Sequence, residues 1–388
     1  MRLWHLLVLL IKAAALILRA VIGAMVLIAW AGLAPQRASA QAKDATARME
    51  KVGDGVYAIL HDHATLDWPS ETMQWPHSNV GVIIGDSAVL VVDSDYLPSR
   101  AHADIALIRT VTSKPVKYLV NTHWHGDHTH GNGVYRKMFP NLTIVGAREN
   151  GRFISVNQAR YASAVLAPNS AQRQALAVLE PIYASGKDTS GRMLTASERQ
   201  RLGAILTNLR FELVDIANVE VAPPTLLFDD ELDLDLGKRH VVLHDWGRAN
   251  SPADVTAYVP DAQVLFTGDI MVYPVPFTGA SYPTLWIDVL KRIEQLPVKA
   301  MVPGHGLVQH DHSYTRLLRE LMETSTWRMD SMLRAGIVRD SAQKYLNVED
   351  LRGKFVKSDN AEAVVLWDDM IKGQLPERVG RCVVGYDC

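Results

Sequence analysis

Cysteine is almost missing from this chain of 388 residues: the only two, Cys382 and Cys388, sit at its extreme C-terminus. They are no help to a metal centre built elsewhere in the chain, and in an oxidising compartment their pairing would close only a small terminal loop. An excess of charge of one sign is missing too, with 40 Lys and Arg against 42 Asp and Glu, and no basic block or arginine-rich run occurs. Nothing is therefore at hand to neutralise a row of phosphates, which argues against a nucleic-acid partner. Apolar residues at 48% and charged ones at 21% are ordinary for a globular protein, and the length allows one large domain or two medium ones.

Residues 1–40 stand apart from the rest. Arg2, Lys12 and Arg19 punctuate a long apolar stretch, an uninterrupted run from Ala20 to Ala34 follows, and Ala38-Ser-Ala40 precedes Gln41. A positive start, an apolar centre of about 15 residues and an Ala-x-Ala end describe a secretory signal peptide. The expectation is cleavage near Ala40, a periplasmic or secreted protein, and no stable membrane association afterwards. A retained N-terminal membrane anchor is the alternative, although the run is short for a full span.

One stretch is dense in chemistry: Asn121-Thr-His-Trp-His-Gly-Asp-His-Thr-His-Gly-Asn132. The apolar run Val116-Lys-Tyr-Leu-Val120 before it reads as a strand, which would deliver His123, His125, Asp127 and His128 onto one loop. Imidazole nitrogen and carboxylate oxygen are the donors that zinc and similar divalent ions take. A period of two puts His123 and His125 on one side. The turn at Gly126 lets Asp127 and His128 face elsewhere, which suits two adjacent metals better than one. With 14 histidines in the chain, a merely His-rich loop is the bland explanation, but four donors within six residues directly after an apolar strand argue against chance.

The pattern His-x-His-x-Asp-His after a strand resembles the signature of the metallo-β-lactamase superfamily. Three more stretches carry the resemblance across about residues 52–310 in the family's order. The segment from Asn79 to Asp93 resembles its early hairpin, which ends in an aspartate behind the site. Phe266-Thr-Gly-Asp269 resembles its strand-end aspartate that bridges two metals, and Val302-Pro-Gly-His305-Gly its last histidine ligand. The resemblance implies an α/β fold, a four-layer αββα sandwich, with Zn(2+), two ions per chain, as cofactor. Branches of the family with a cysteine ligand carry it where Asp269 stands here, so the chain looks more like the aspartate-bridged hydrolases, of glyoxalase II-like type.

One departure matters. The family's loop reads like Gly-His-Thr-x-Gly-Asp before a strand, and aligning it on Asp254 and the strand from Val255 to Val259 places Asn250 where a third histidine belongs. An amide oxygen is neutral and a poorer zinc ligand than imidazole. Either Asn250 binds weakly and the first site is the weaker of two, or His244 swings in, or only the second ion, at Asp127, His128, Asp269 and His305, is held firmly. The first reading is preferred. The metal ligands are then His123, His125, Asp127, His128, Asn250, Asp269 and His305. Asp127 and Asp269 also serve catalysis, and Asp93 and Asp254 are candidates to fix histidine tautomers from behind.

The expected function is an exported zinc hydrolase that opens an activated acyl bond (ester, thioester, lactone or lactam) of a small molecule with a metal-bound hydroxide. Alternatives are a β-lactamase proper, an iron-using oxidoreductase on the same fold, and, because of Asn250, a catalytically idle relative that binds a ligand. The layout divides into residues 1–40, a metal-binding domain over 51–312 interrupted at 148–210 by a helical hairpin, and a helical extension over 313–388. Thr195-x-x-Glu198 opens the second insertion helix like a capping box. Trp68, Trp75 and His77 on one loop, and Tyr273, Pro274, Pro276 and Phe277 on another, are candidate pocket walls, while His310 and His312 read as surface residues.

Overall fold

The protein is described here by a computed structural model covering residues 47–61, 77–357 and 360–385. The N-terminal segment expected to be a signal peptide, Trp68, Trp75 and Cys388 lie outside the described residues; Cys382 is not a free thiol. No helix among the described residues is long and apolar enough to cross a membrane.

The first sheet has seven strands in sequence order: β1 (Arg48–Gly53), β2 (Val56–Leu60), β3 (Val80–Ile84), β4 (Val89–Val92), β5 (Val116–Val120), β6 (Thr143–Ala147) and β7 (Leu226–Phe228). The first four pair antiparallel, and from β4 onward the pairing is parallel. Parallel neighbours need crossovers. Helix α1 (Pro98–Val111) makes the first, α2 (Gly126–Thr129) and α3 (Asn132–Met138) the second, and three helices, α4 (Arg148–Leu166), α5 (Ala171–Ser185) and α6 (Ala196–Asp215), stand between β6 and β7. The second sheet contains β8 (Glu231–Asp235), β9 (His240–Asp245), β10 (Val255–Val259), β11 (Val264–Val272) and β12 (Ala300–His305), in the order β12-β11-β10-β9-β8. Only its β11–β12 pair is parallel, and α7 (Pro283–Ile293) fills that crossover.

The period of two explains how the layers stack. Val89 and Val91 face outward onto Ile105 and Ile108 of α1 and Tyr135 of α3. Leu90 and Val92 face inward and meet Val255, Ala257 and Phe266 of the second sheet. On the far side, Leu265 and Met301 join Trp286 of α7 and Leu318 of α8 (Ser313–Arg334). The sequence of layers is helix, sheet, sheet, helix, the αββα sandwich expected from the resemblance.

The 148–210 segment differs from a two-helix hairpin, because α4 precedes α5 and α6. Helix α4 is hard to read by periodicity because a polar residue interrupts its inner face ahead of Ile154 and Val165: Asn150 is fully buried and donates its amide to the Thr122 carbonyl at 3.3 Å. Thr195 and Glu198 do form a capping box at the start of α6. After α8, the helices Arg339–Tyr345, Glu349–Phe355 and Leu375–Val383 bury Ala342, Leu351 and Val379 in the same core as α7 and α8. His310 is exposed, whereas His312 is half-buried and bonds the Leu296 carbonyl.

Candidate metal centre

Six of the seven expected ligands meet in two adjoining clusters. His123, His125 and Asp269 form one, and Asp127, His128 and His305 the other, each with its donor atoms within 4.8 Å of one another. Asp269 belongs to both. Its Oδ2 lies 3.5 Å from His123 Nε2 and 3.9 Å from His125 Nδ1, while its Oδ1 lies 3.3 Å from His128 Nε2 and 3.4 Å from His305 Nε2. Asp127 Oδ2 completes the second set, 3.5 Å from His128 Nε2 and 3.1 Å from His305 Nε2.

The donor set fits divalent ions. A tetrahedral ion with bonds of about 2.05 Å separates its ligand atoms by about 3.4 Å, and within the second set the carboxylate-to-imidazole separations of Asp269 Oδ1 and Asp127 from His128 and His305 fall at 3.1–3.5 Å. Both carboxylate oxygens of Asp269 are buried and lack any hydrogen-bond partner, a costly state that a cation relieves. The set around His123 and His125 is looser, with three donors rather than four.

Local structure aims each donor. Gly268 has a positive φ of 51°, which turns the β11 backbone just before Asp269. A Cβ at Gly304 would stand 2.1 Å from Asp269 Oδ1, so only glycine lets β12 pass close enough to bring His305 in. One helical turn, α2, carries Asp127 and His128, separating them from His123 and His125.

Behind the donors, Asp93 is a hub with a left-handed φ of 62°. Its Oδ2 bonds His128 Nδ1 at 2.7 Å and accepts from Thr122 Oγ1 at 2.8 Å, and Thr122 Oγ1 in turn meets His123 Nδ1 at 3.1 Å. The protons are thereby placed on Nδ1, leaving both Nε2 lone pairs for a metal. His305 Nδ1 does the same toward the His77 carbonyl at 3.1 Å. Burial and the neighbouring His128 and His125 hold the His123 pKa well below the usual imidazole range, so it stays neutral. Burial would lower His128 as well, but Asp269, Asp127 and Asp93 outweigh it and raise the pKa. That is the field of a site that asks for added positive charge.

Three expectations need correction. His244 does not swing in: it pairs with Glu231 at 3.2 Å and tilts against Trp246. Asp254 fixes no histidine tautomer; it accepts from the backbone N–H groups of Ala249 and Ser251, and so shapes the loop on either side of Asn250. Tyr273 faces Tyr314 of α8 instead of walling the pocket, whereas Phe277 does lie against the His305 ring at 5.2 Å. Asn250 itself is buried, and its amide nitrogen donates to the Phe277 carbonyl at 2.7 Å.

The sequence reading passed over Trp124 and Asp95, and took His77 only for a pocket wall. Trp124 packs edge-on to His125, with Phe153 of α4 6.0 Å away, so the insertion buttresses the metal loop. His77 holds His305 through its carbonyl, and Asp95 holds the His77 ring at 2.6 Å. The Asp95 next to Asp93 was the only available signal, an unusual repeat of acid at the end of an apolar strand.

Comparison with known proteins agrees with this architecture. The profile of the Metallo-beta-lactamase superfamily matches residues 73–305. A linear primary-alkylsulfatase of a Pseudomonas species is 26% identical over 235 residues, 58% of this chain and 40% of that protein, so the chain spans about two-fifths of the relative's length. Among solved structures, the stereoselective inverting sec-alkylsulfatase of Pseudomonas sp. superposes with a TM-score of 0.54 at 14% identity, over 87% of this chain and 49% of that one. A metallo-beta-lactamase from Pontibacter korlensis gives a TM-score of 0.47 at 15% identity, over 71% of this chain and 99% of that one.

Proposed function

The chain belongs to the metallo-beta-lactamase superfamily, and on that premise we propose that it is a zinc-dependent hydrolase working with two ions bridged by Asp269. The observation that carries the reading is the division of Asp269 between the two clusters, one oxygen to each. His123, His125 and Asn250 would hold the first ion, and Asp127, His128 and His305 the second. When bound, the pair supplies Lewis acidity and a water whose pKa is lowered to about 7. Asn250 makes the first ion the weaker one.

The chain's own residues do the rest. Asp93, through His128 directly and through Thr122 to His123, holds two imidazoles with Nδ1 bonded behind and Nε2 aimed into the site. Asp127, with a side chain 16% exposed, is the most open of the carboxylates and is placed to orient the attacking water. The Phe277 ring beside His305 excludes solvent from one side.

The substrate is a small molecule with an activated bond. The acyl class suits the site chemistry. A sulfate ester is the second reading, favoured by the resemblance to a linear primary-alkylsulfatase and by two cations, Arg248 and Arg378, that flank the Tyr282 ring at 5.2 and 5.8 Å. Tyr282 donates its N–H to Ala249, next to Asn250, which puts those cations near the pair and suits an anionic substrate. We further place the enzyme outside the cytoplasm, on the N-terminal sequence alone.

The test is a hydrolysis panel on zinc-loaded protein: aryl esters, thioesters, lactones, a β-lactam and alkyl sulfates, with wild type against Asp269→Ala. Loss of turnover of one class by about a hundredfold or more in the variant supports the reading. Equal background rates in both proteins across the whole panel overturn it. Release of sulfate from an alkyl sulfate decides between the two substrate classes.

A further inference from the structure

A third cluster lies on the other side of the first sheet's active edge. His61 follows β2, Asp95 lies in the loop after β4, and Asp104 lies on the buried face of α1. His61 Nε2 is 3.1 Å from Asp95 Oδ2 and 3.2 Å from Asp104 Oδ1, and the three side chains are 5%, 0% and 0% exposed. Yet His61 Nε2, Asp95 Oδ2 and both Asp104 oxygens make no hydrogen bond. Short separations without a geometrically satisfactory hydrogen bond are what results when lone pairs converge on a common point. Separations of 3.1–3.2 Å also match those around the Asp269 pair, and the three atoms meet the same spacing criterion as the two clusters there.

Two buried carboxylates beside one imidazole are costly unless protons or a cation meet their charge, and burial, opposed by His61, raises the Asp104 pKa. Burial would lower the His61 pKa, but Asp95 and Asp104 outweigh it, with Arg100 opposing, and raise it to about 9. The chain also spends backbone strain here: Asp95, though not a glycine, sits at a left-handed φ of 66°. Its second oxygen, Oδ1, is already used, by His77 Nδ1 at 2.6 Å and by the Tyr96 N–H. That leaves Oδ2 with no role in the fold's own hydrogen bonding.

We propose that His61, Asp95 and Asp104 hold a third divalent cation, a structural ion separate from the Asp269 pair. One imidazole and two carboxylates are a donor set for a divalent first-row ion of the zinc or manganese kind. Its position gives it a purpose. Asp95 carries the ion on one oxygen and the His77 ring on the other, and the His77 carbonyl receives the Nδ1 proton of His305. The ion thereby anchors the chain segment that aims a ligand of the second cluster. The proposal stands independently of which bond the enzyme cleaves.

The test uses the full chain, loaded with zinc alone, dialysed against metal-free buffer and crystallised, with anomalous differences recorded at the zinc edge. A peak about 2 Å from His61 Nε2 is expected. Its absence overturns the proposal, whatever the Asp269 pair holds, and the charge is then met by a proton on His61. Peaks missing only from the pair count against the hydrolase reading and leave this one standing. Metal counting in solution adds a second arm. Asp104→Asn and His61→Gln should each lose one zinc per chain relative to wild type, and a count equal to wild type overturns the proposal. If neither variant folds, the anomalous map of the wild type decides alone.

Discussion

Replacing Asn250 by histidine would put an imidazole where the chain has a buried amide bonded to the Phe277 carbonyl at 2.7 Å. The variant gives up that hydrogen bond, at about 1 kcal/mol of stability, and gains a better donor for the first ion. Asn250→His should tighten the weaker zinc by about tenfold or more, on the scale of changes around metal ligands, as read by competition with a chelator. An unchanged affinity means the 249–251 loop does not ligate. Gly304 makes a complementary case. A Cβ there meets Asp269 Oδ1 at 2.1 Å and the Gly268 carbonyl carbon at 2.8 Å. Gly304→Ala should displace the bridging carboxylate and cut hydrolysis by about a hundredfold, the usual result of misplacing a catalytic group by about 1 Å. Full activity with two ions retained would show that the strand can give way. Of these residues, Asn250 is legible from the sequence as a departure from a pattern. The close approach at Gly304 is not, because it depends on how β12 pairs with β11.

Among the elements, the insertion depends on a buried polar junction. Tyr96, after β4, donates to Glu212 of α6 at 2.5 Å and lies 2.9 Å from the Tyr161 hydroxyl of α4, while Gln172 of α5 also reaches Glu212. All three helices therefore tie to one loop of the first sheet. Burial raises the Glu212 pKa above the usual glutamate value, and the Tyr96 and Gln172 hydrogen bonds offset only part of this. The folded chain thus holds that proton more tightly than the unfolded one. Its contribution to stability is complete below the ordinary glutamate pKa of about 4.3 and is lost as pH rises through the raised folded value. Relative to Glu212→Gln, the wild-type melting temperature should fall across that window. A difference that stays constant with pH would mean Glu212 titrates normally. The capping box of α6 could be read from four residues, since its chemistry is local. Helix α4 could not, since Asn150 interrupts the face that Ile154 and Val165 otherwise make apolar and is spent on the metal loop.

At the scale of the whole molecule, the candidate metal donors come from parts of the chain far apart in sequence, from His123 to His305. Ions that bind the folded chain alone stabilise it, by about 2.7 kcal/mol per site at a hundredfold excess over Kd. Dialysis against a chelator should therefore lower the melting temperature, and zinc should restore it; an unmoved transition would separate metal binding from folding. The N-terminus offers a second test at this scale. Mass spectrometry of protein exported by a bacterial host should find a chain beginning at Gln41, and a mature chain still carrying Met1 sinks the cleavage reading.

The amino-acid sequence by itself determined which donors exist and how neighbours along the chain are aimed. Strand alternation, the turn at Gly126 and the apolar run into Asn121 are short-range effects, set by backbone geometry over a few residues. The layered sandwich was legible only through the resemblance of the chain's motifs to a family; strand and helix patterning alone gives no more than an α/β alternation. Only the tertiary structure decided which distant donors meet. Asp269 and His305 become neighbours through the irregular parallel register of β11 and β12, and His61, Asp95 and Asp104 converge from a strand end, a strained loop and a helix. Such convergence is a property of packing between elements, and no spacing within one stretch of chain encodes it.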